Sequence, residues 1–281
     1  MRRTVAAMSA GVLFITTLSG CGGSQATVKD GAFDAKQPIP ASQAFNTKSI
    51  WYQRSDFDID EGTPLGKDTY ISRILVFDGA GKLTTYAIDT QLGELKDKTD
   101  DQIIAEAKKY DKERNESYLK DDSQRSKLQD SYDGAIAAAE DPTYVEAHPD
   151  ENIDAAQAKA NKTKGMEFYD NVQYMEPVAE TYTLSVTTDP SGNAAQEESI
   201  KFNVPSYQFN TSSIDAMVQS GRTPGPREQQ QQITLTPING SFQVYDMWFG
   251  GYLNMVTRVE QGNAGFALDS PKTEGIKVDE D

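Results

Sequence analysis

Apolar positions alternate at the strand period in two stretches of this chain and recur at the helical period in the block between them. Residues 47–53 gather β-branched and aromatic side chains around Ile50, Trp51 and Tyr52, which predicts a first strand. Residues 70–78 and 81–88 are apolar-rich runs joined by Asp78-Gly79-Ala80-Gly81, a turn composition, and predict a hairpin. Between them, Asp56-Phe57-Asp58-Ile59-Asp60 alternates acidic and apolar residues, the pattern of a solvated edge strand with its aspartates on one side. A calcium loop on this spacing would need glycine at its sixth place and glutamate at its twelfth. Glu61 and Lys67 stand there, so the EF-hand pattern fails and only a looser cation site remains open.

From about 96 to 165 the period becomes helical. Thr99-Asp100-Asp101-Gln102 has the form of a capping box, and Ile103, Ala107 and Tyr110 then share a face. Leu128, Tyr132, Ile136 and Ala139 form a second stripe, which Pro142 ends. A third helix is expected over 150–164, with Gly165 as the left-handed residue that stops it. The dense charge of this block reads as a solvated helical insertion whose removal leaves the flanking strands folded.

Strand texture then returns. Tyr182, Leu184 and Val186 face one way, Asp189-Pro190-Ser191-Gly192-Asn193 turns the chain, and Ile200, Phe202 and Val204 alternate on the return. Residues 221–232 read as a loop of Pro and Gly followed by glutamines. Asn239-Gly240 predicts a two-residue hairpin between 233–236 and 242–245, and Gly250-Gly251 a turn before the strand 252–259. The fold class expected is α+β: an antiparallel β domain over 43–266, barrel-like or a sandwich, carrying the helical insertion and ending in an acidic tail at 267–281. Closure or sheet packing would hide the apolar face and protect the edges.

Composition excludes more than it selects. Aromatic residues at 9% argue for a folded core, while the formal charge of −16 disfavours nucleic acid as a partner. Cys21 is the sole cysteine and His148 the sole histidine, so an internal disulfide and a multi-histidine metal site are both excluded. No Gly-x-Ser-x-Gly elbow, phosphate loop or His-Glu-x-x-His helix is present, and no cofactor is implied. Carboxylates, tyrosines and lysines remain as candidate chemistry. Tyr245, Trp248 and Tyr252 flank the glycine pair, where amphipathic rings could stack on sugar or peptide.

The N-terminus supplies the address. Met1-Arg2-Arg3 is basic, residues 5–17 are apolar and small, and the run is too short to span a bilayer. Leu18-Ser19-Gly20-Cys21 resembles the lipobox of bacterial lipoproteins. That resemblance implies cleavage after residue 20, acylation of Cys21, and a lipid anchor on the extracytoplasmic face of the cell membrane. Residues 21–42, with Gly22-Gly23-Ser24 and Pro38-Ile39-Pro40, are then expected to be a tether. Loss of Arg2 and Arg3 with the leader takes the charge to about −18, so an anionic leaflet would repel the domain and lipid alone would hold it. More broadly, Ser49-Ile50-Trp51-Tyr52, the 74–86 hairpin and Phe249-Gly250-Gly251-Tyr252 are similar to surface lipoproteins of Gram-positive bacteria. The resemblance carries no activity. The function expected is a non-catalytic module binding a cell-wall component, a small ligand or a surface protein. The alternatives are a solute-binding lipoprotein of an ABC transporter and a carboxylate-based hydrolase of wall glycans.

Overall fold

The computed structural model describes residues 27–29, 31–151 and 154–279; the leader and Cys21 lie outside them. β1 (Thr27–Lys29) and β2 (Ala32–Asp34) pair, and β3 (Ile39–Pro40) leads into α1 (Ala41–Phe45). β4 (Ser49–Arg54) and α2 (Asp56–Asp60) precede the hairpin of β5 (Tyr70–Phe77) and β6 (Lys82–Gln91). The helices α3 (Asp100–Leu119), α4 (Asp122–Glu140), α5 (Pro142–Ala147) and α6 (Ala155–Asp170) follow. The chain returns to strands in β7 (Glu180–Thr181), β8 (Thr183–Thr188) and β9 (Ala195–Ser206), then forms α7 (Thr211–Gln219) and β10 (Arg227–Thr234). β11 (Phe242–Val244), β12 (Met247–Tyr252), β13 (Met255–Val259), β14 (Phe266–Ala267) and β15 (Lys277–Val278) complete it.

The fold is α+β, and most strand pairs are antiparallel. The largest sheet has nine strands, β1-β2-β13-β4-β5-β6-β7 with β12 and β11 added beyond β13; a second runs β10-β9-β8-β15, and β14 pairs with β3 apart from these two main sheets. Both sheets stay open among the described residues, so no closed barrel forms. They pack as a sandwich instead. Trp51, Leu75, Phe77, Tyr252 and Met255 of the larger sheet share one core with Ile200, Phe202, Ile233 and Leu235. Because side chains alternate along a strand, Ile50, Tyr52, Ile74, Tyr86 and Val256 emerge on the opposite face of the larger sheet. Ile103 and Ala107 of α3 cover that second face. Burial on both faces explains why Ile50, Trp51 and Tyr52 follow one another without a polar residue between them.

This layering corrects the expectation of a removable helical insertion. The Thr99 box caps α3 as predicted, but Ile103 and Ala107 are fully buried against the sheet, so α3 is a core layer. α4 packs instead with α6 and α7, and together they bury Leu128, Tyr132, Phe168 and Ile214 in a second cluster.

Gly165 does not stop the third helix; α6 runs through it to Asp170. A methyl group built there would lie 2.1 Å from the Tyr132 hydroxyl, so glycine is needed for the close approach of α4. That hydroxyl is held by donating to Asp215 at 2.9 Å. Alanine at a solvated mid-helix position normally gains up to about 1 kcal/mol over glycine. Here Gly165→Ala is expected to lose about 1–3 kcal/mol by overpacking, measurable by urea unfolding. A stabilised variant would show that the two helices do not meet at this point.

The glycine pair Gly250-Gly251 likewise lies inside β12 and not in a turn. Gly251 has φ +136°, and a Cβ there would meet the Trp51 ring at 2.9 Å and the Met255 carbonyl at 2.7 Å. The indole packs on bare backbone, which demands glycine.

Five further expectations are overturned by the partners that each segment meets in the fold. The glutamines of 229–232 are strand, not loop, because β9 is long enough to pair with β10 from Arg227 to Thr234. Asn239-Gly240 closes no hairpin: it carries the chain from β10 in one sheet to β11 in the other. Residues 56–60 form the short helix α2, not an edge strand. Its turn brings the carbonyls of Asp58 and Thr63 to the buried Arg54 guanidinium at 3.2 and 2.6 Å, and the buried Asp58 carboxylate accepts the Tyr70 N–H at 2.6 Å. Residues 32–42, expected as tether, bury Phe33, Ile39 and Ala41 in the sandwich, and the expected tail contributes β14, β15 and the buried Asp269.

Candidate functional site

The three rings proposed from sequence do not form a platform. Tyr252 is fully buried, stacks on Trp51 at 5.8 Å and donates its hydroxyl to the Ala267 carbonyl at 3.1 Å. Trp248 is half-buried at the margin of the same core. Tyr245 is exposed in the two-residue loop between β11 and β12, with φ +56° where glycine is usual. Its ring lies beneath the Lys96 ammonium, 5.4 Å from the centroid. Period-2 geometry sends Trp248 and Tyr252 toward the core, while the turn throws Tyr245 outward.

A different site arises where the two sheets diverge. On β4 and β5 the paired residues Trp51 and Leu75 face the core, and two residues along, the pair Gln53 and Arg73 continues the same face. On β9 and β10 the pairs Ile200–Ile233, Phe202–Gln231 and Val204–Gln229 run in the same sense. Both inner faces therefore change from apolar to polar at the same end of the sandwich. The C-terminal half of α3 runs past the edge of β6, where the buried Asp111 accepts the Ala87 N–H at 3.0 Å. This caps an edge donor that no strand reaches. The three elements enclose an open groove of about 930 Å3, lined by Arg73, Arg114, Asn115, Tyr118, Ser206, Tyr207, Gln208, Gln229 and Gln231 together with Glu113, Glu116 and Asp121.

The charges in this mouth are unequally satisfied. Glu113 and Glu116 pair with Lys109 and Lys112 one helical turn back at 3.9 and 3.8 Å, and Asp121 accepts the Ser123 N–H at 2.9 Å as a helix cap. Arg73 meets only the neutral Gln53 amide, at 3.0 Å. Desolvation lowers its proton affinity, and the nearby positive charge of Arg114 lowers it further, against the weaker pull of Asp111 and Asp56. Asp111 is already engaged by Ala87 and by the Tyr174 hydroxyl at 3.0 Å. Burial pushes the Tyr207 and Tyr118 hydroxyls above the ordinary tyrosine range, so both stay protonated as donors. A neighbouring crevice of about 240 Å3 is more apolar, with Pro177, Val178, Pro205 and Pro226; its Arg222 is paired with Glu228 at 3.1 Å.

Sequence reading missed this site. One signal was present: Arg73 interrupts an apolar run at an inward-facing position, in phase with Leu75 and Phe77.

The two most buried acids lie elsewhere. Glu198 on β9 is fully inaccessible, and its carboxyl accepts the Asp269 N–H at 2.7 Å. Asp269 in turn accepts the Ser42 N–H and hydroxyl, both at 2.6 Å. Desolvation, reinforced by the Asp269 charge against the Asp269 N–H bond, pushes Glu198 up to about 8. The pair is sealed inside the sandwich, beyond the reach of a substrate. Among the described residues no group of three or more His, Cys, Asp or Glu side chains is placed to hold a metal, and no helix is long and apolar enough to cross a membrane. No family model, curated protein or solved structure matches the chain.

Proposed function

We propose that this chain is a membrane-anchored extracytoplasmic lipoprotein that acts as a non-catalytic binding module, with the polar mouth of its sandwich as the ligand site. The observation that carries the binding role is the mouth itself. Two sheets and a helix converge on a groove of ligand size whose walls offer amides, hydroxyls and guanidinium groups. The anchor is supported by Leu18-Ser19-Gly20 before the sole cysteine. A small ligand or a wall component fits the polar lining better than a broad apolar partner surface would. The acids of this groove are engaged by lysines of their own helix or by a helix cap, and among the described residues no carboxylate pair faces across it as a hydrolase of glycans would need. Nor do the strands form two α/β lobes with a hinge, the architecture that would favour a transporter-associated binding protein.

Fractionation tests the anchor. Wild-type chain is expected in the membrane pellet, and Cys21→Ala is expected to be released or to persist uncleaved. Identical fractionation and migration of the two would remove the anchor from this reading.

A further inference from the structure

Seven arginines lie among the described residues, and five of them have an evident structural partner. Arg125, Arg222 and Arg258 meet carboxylates, and Arg54 and Arg227 meet backbone carbonyls. The two exceptions stand in the same groove. Arg73 has only the Gln53 amide, and Arg114 has no hydrogen-bond acceptor or carboxylate in reach among the described residues. In a chain of charge −16, two arginines that line one groove without an ion pair, where Asp111 and Asp56 each pull on Arg73 more weakly than Arg114 repels it, are an unexpected expense. The groove contains acids that would relieve them, yet Glu113 and Glu116 sit beside lysines of their own helix. Arg73 is also half-buried on a rigid central strand, with its guanidinium oriented by Gln53, and is thus prepared for a partner.

We propose that the mouth binds a small polar ligand bearing an oxyanion, carboxylate or phosphate, which seats between Arg73 and Arg114. This inference rests on the mouth being the ligand site. Guanidinium forks match the geometry of either oxyanion and bind it through paired, charge-assisted hydrogen bonds. The remaining polar groups of the ligand face Gln229, Gln231 and Ser206 across the groove, where amides and a hydroxyl serve as both donors and acceptors. Because the protein's overall charge repels anions, selection has to come from these short contacts and not from long-range attraction.

Matched sugars provide the test. The full-length chain in detergent is titrated by calorimetry with glucose, glucuronate and glucose 6-phosphate, which share a ring and differ in the anionic group. At least one anionic sugar is expected to bind about tenfold or more tighter than glucose, and the one that does identifies carboxylate or phosphate. Arg73→Gln and Arg114→Gln are each expected to weaken that binding about tenfold and to narrow the gap between that sugar and glucose. Arg114 is exposed, so its variant should melt as wild type does, and a loss of binding there is not a loss of fold. Equal affinity for all three sugars, or anion binding indifferent to both substitutions, would overturn the oxyanion while leaving the mouth as a neutral-ligand site. If no probe binds, both readings fall.

Discussion

Trp51→Ala is expected to be the most damaging single substitution in the chain, lowering stability by about 3–5 kcal/mol. The indole is fully buried at the centre of the sandwich. Phe266, Phe45, Tyr252 and Phe33 surround it at centroid distances of 5.0, 5.1, 5.8 and 6.0 Å, and its Nε1 donates to Ser49 Oγ at 3.1 Å. Truncation removes one ring from every one of these pairs and leaves a cavity that the stiff strands cannot close. A domain of this kind has about 5–15 kcal/mol in total, so the loss is a large share. Thermal unfolding should show a melting temperature lower by about 10 °C or more. A shift within about 2 °C would mean that the aromatic cluster does not organise the core. Gly251 belongs to the same argument, since its missing Cβ is what lets the ring lie on β12.

The second large effect is set by pH. A carboxylic acid whose proton affinity is raised by folding contributes stability that is complete below its unfolded value, near 4.5, and is lost as the pH rises through its folded value, about 8. Glu198 is such a group. Protonated, its Oε1, which finds no donor in the structure, can itself donate toward Asp269; ionised, it places a second negative charge beside that carboxylate without water. Stability should therefore fall between about pH 4.5 and pH 8. The exposed carboxylates whose proton affinity is lowered, Asp78, Asp121 and Asp189 among them, are ionised in folded and unfolded chains alike over this range and do not mask the trend. Glu198→Gln copies the neutral form. It should flatten the dependence and make the protein more stable than wild type at pH 9. Parallel melting curves for the two proteins across the range would exclude a shared proton at this pair.

Both effects arise from groups whose surroundings are assembled from distant parts of the chain. Trp51 is visible in sequence as a strand residue, but its neighbours come from residues 33, 45, 252 and 266. Glu198 and Asp269 look like two of many solvated acids until β9 and the C-terminal segment are brought together. The mouth has the same character, since Gln53, Arg73, Arg114, Gln229 and Gln231 come from β4, β5, α3 and β10.

What the sequence determined by itself is the set of features coded within a few residues. The Asp78–Gly81 turn and its two strands, the Thr99 cap of α3, the break at Pro142 and the turn at Asp189 all stand where local composition places them, because each depends on dihedral preference and on hydrogen bonds to near neighbours. Tertiary structure alone decided the rest. Glutamines 229–232 are strand because β9 extends far enough to pair with them. Gly165 and Gly251 lie inside a helix and a strand because a tyrosine hydroxyl and an indole need the space a Cβ would fill. Residues 32–42 are structural and not spacer because Phe33 and Ile39 find a core to enter. A side chain's chemistry is written in the sequence, but whether its charge is paired, its ring covered or its glycine required depends on which distant residue arrives beside it.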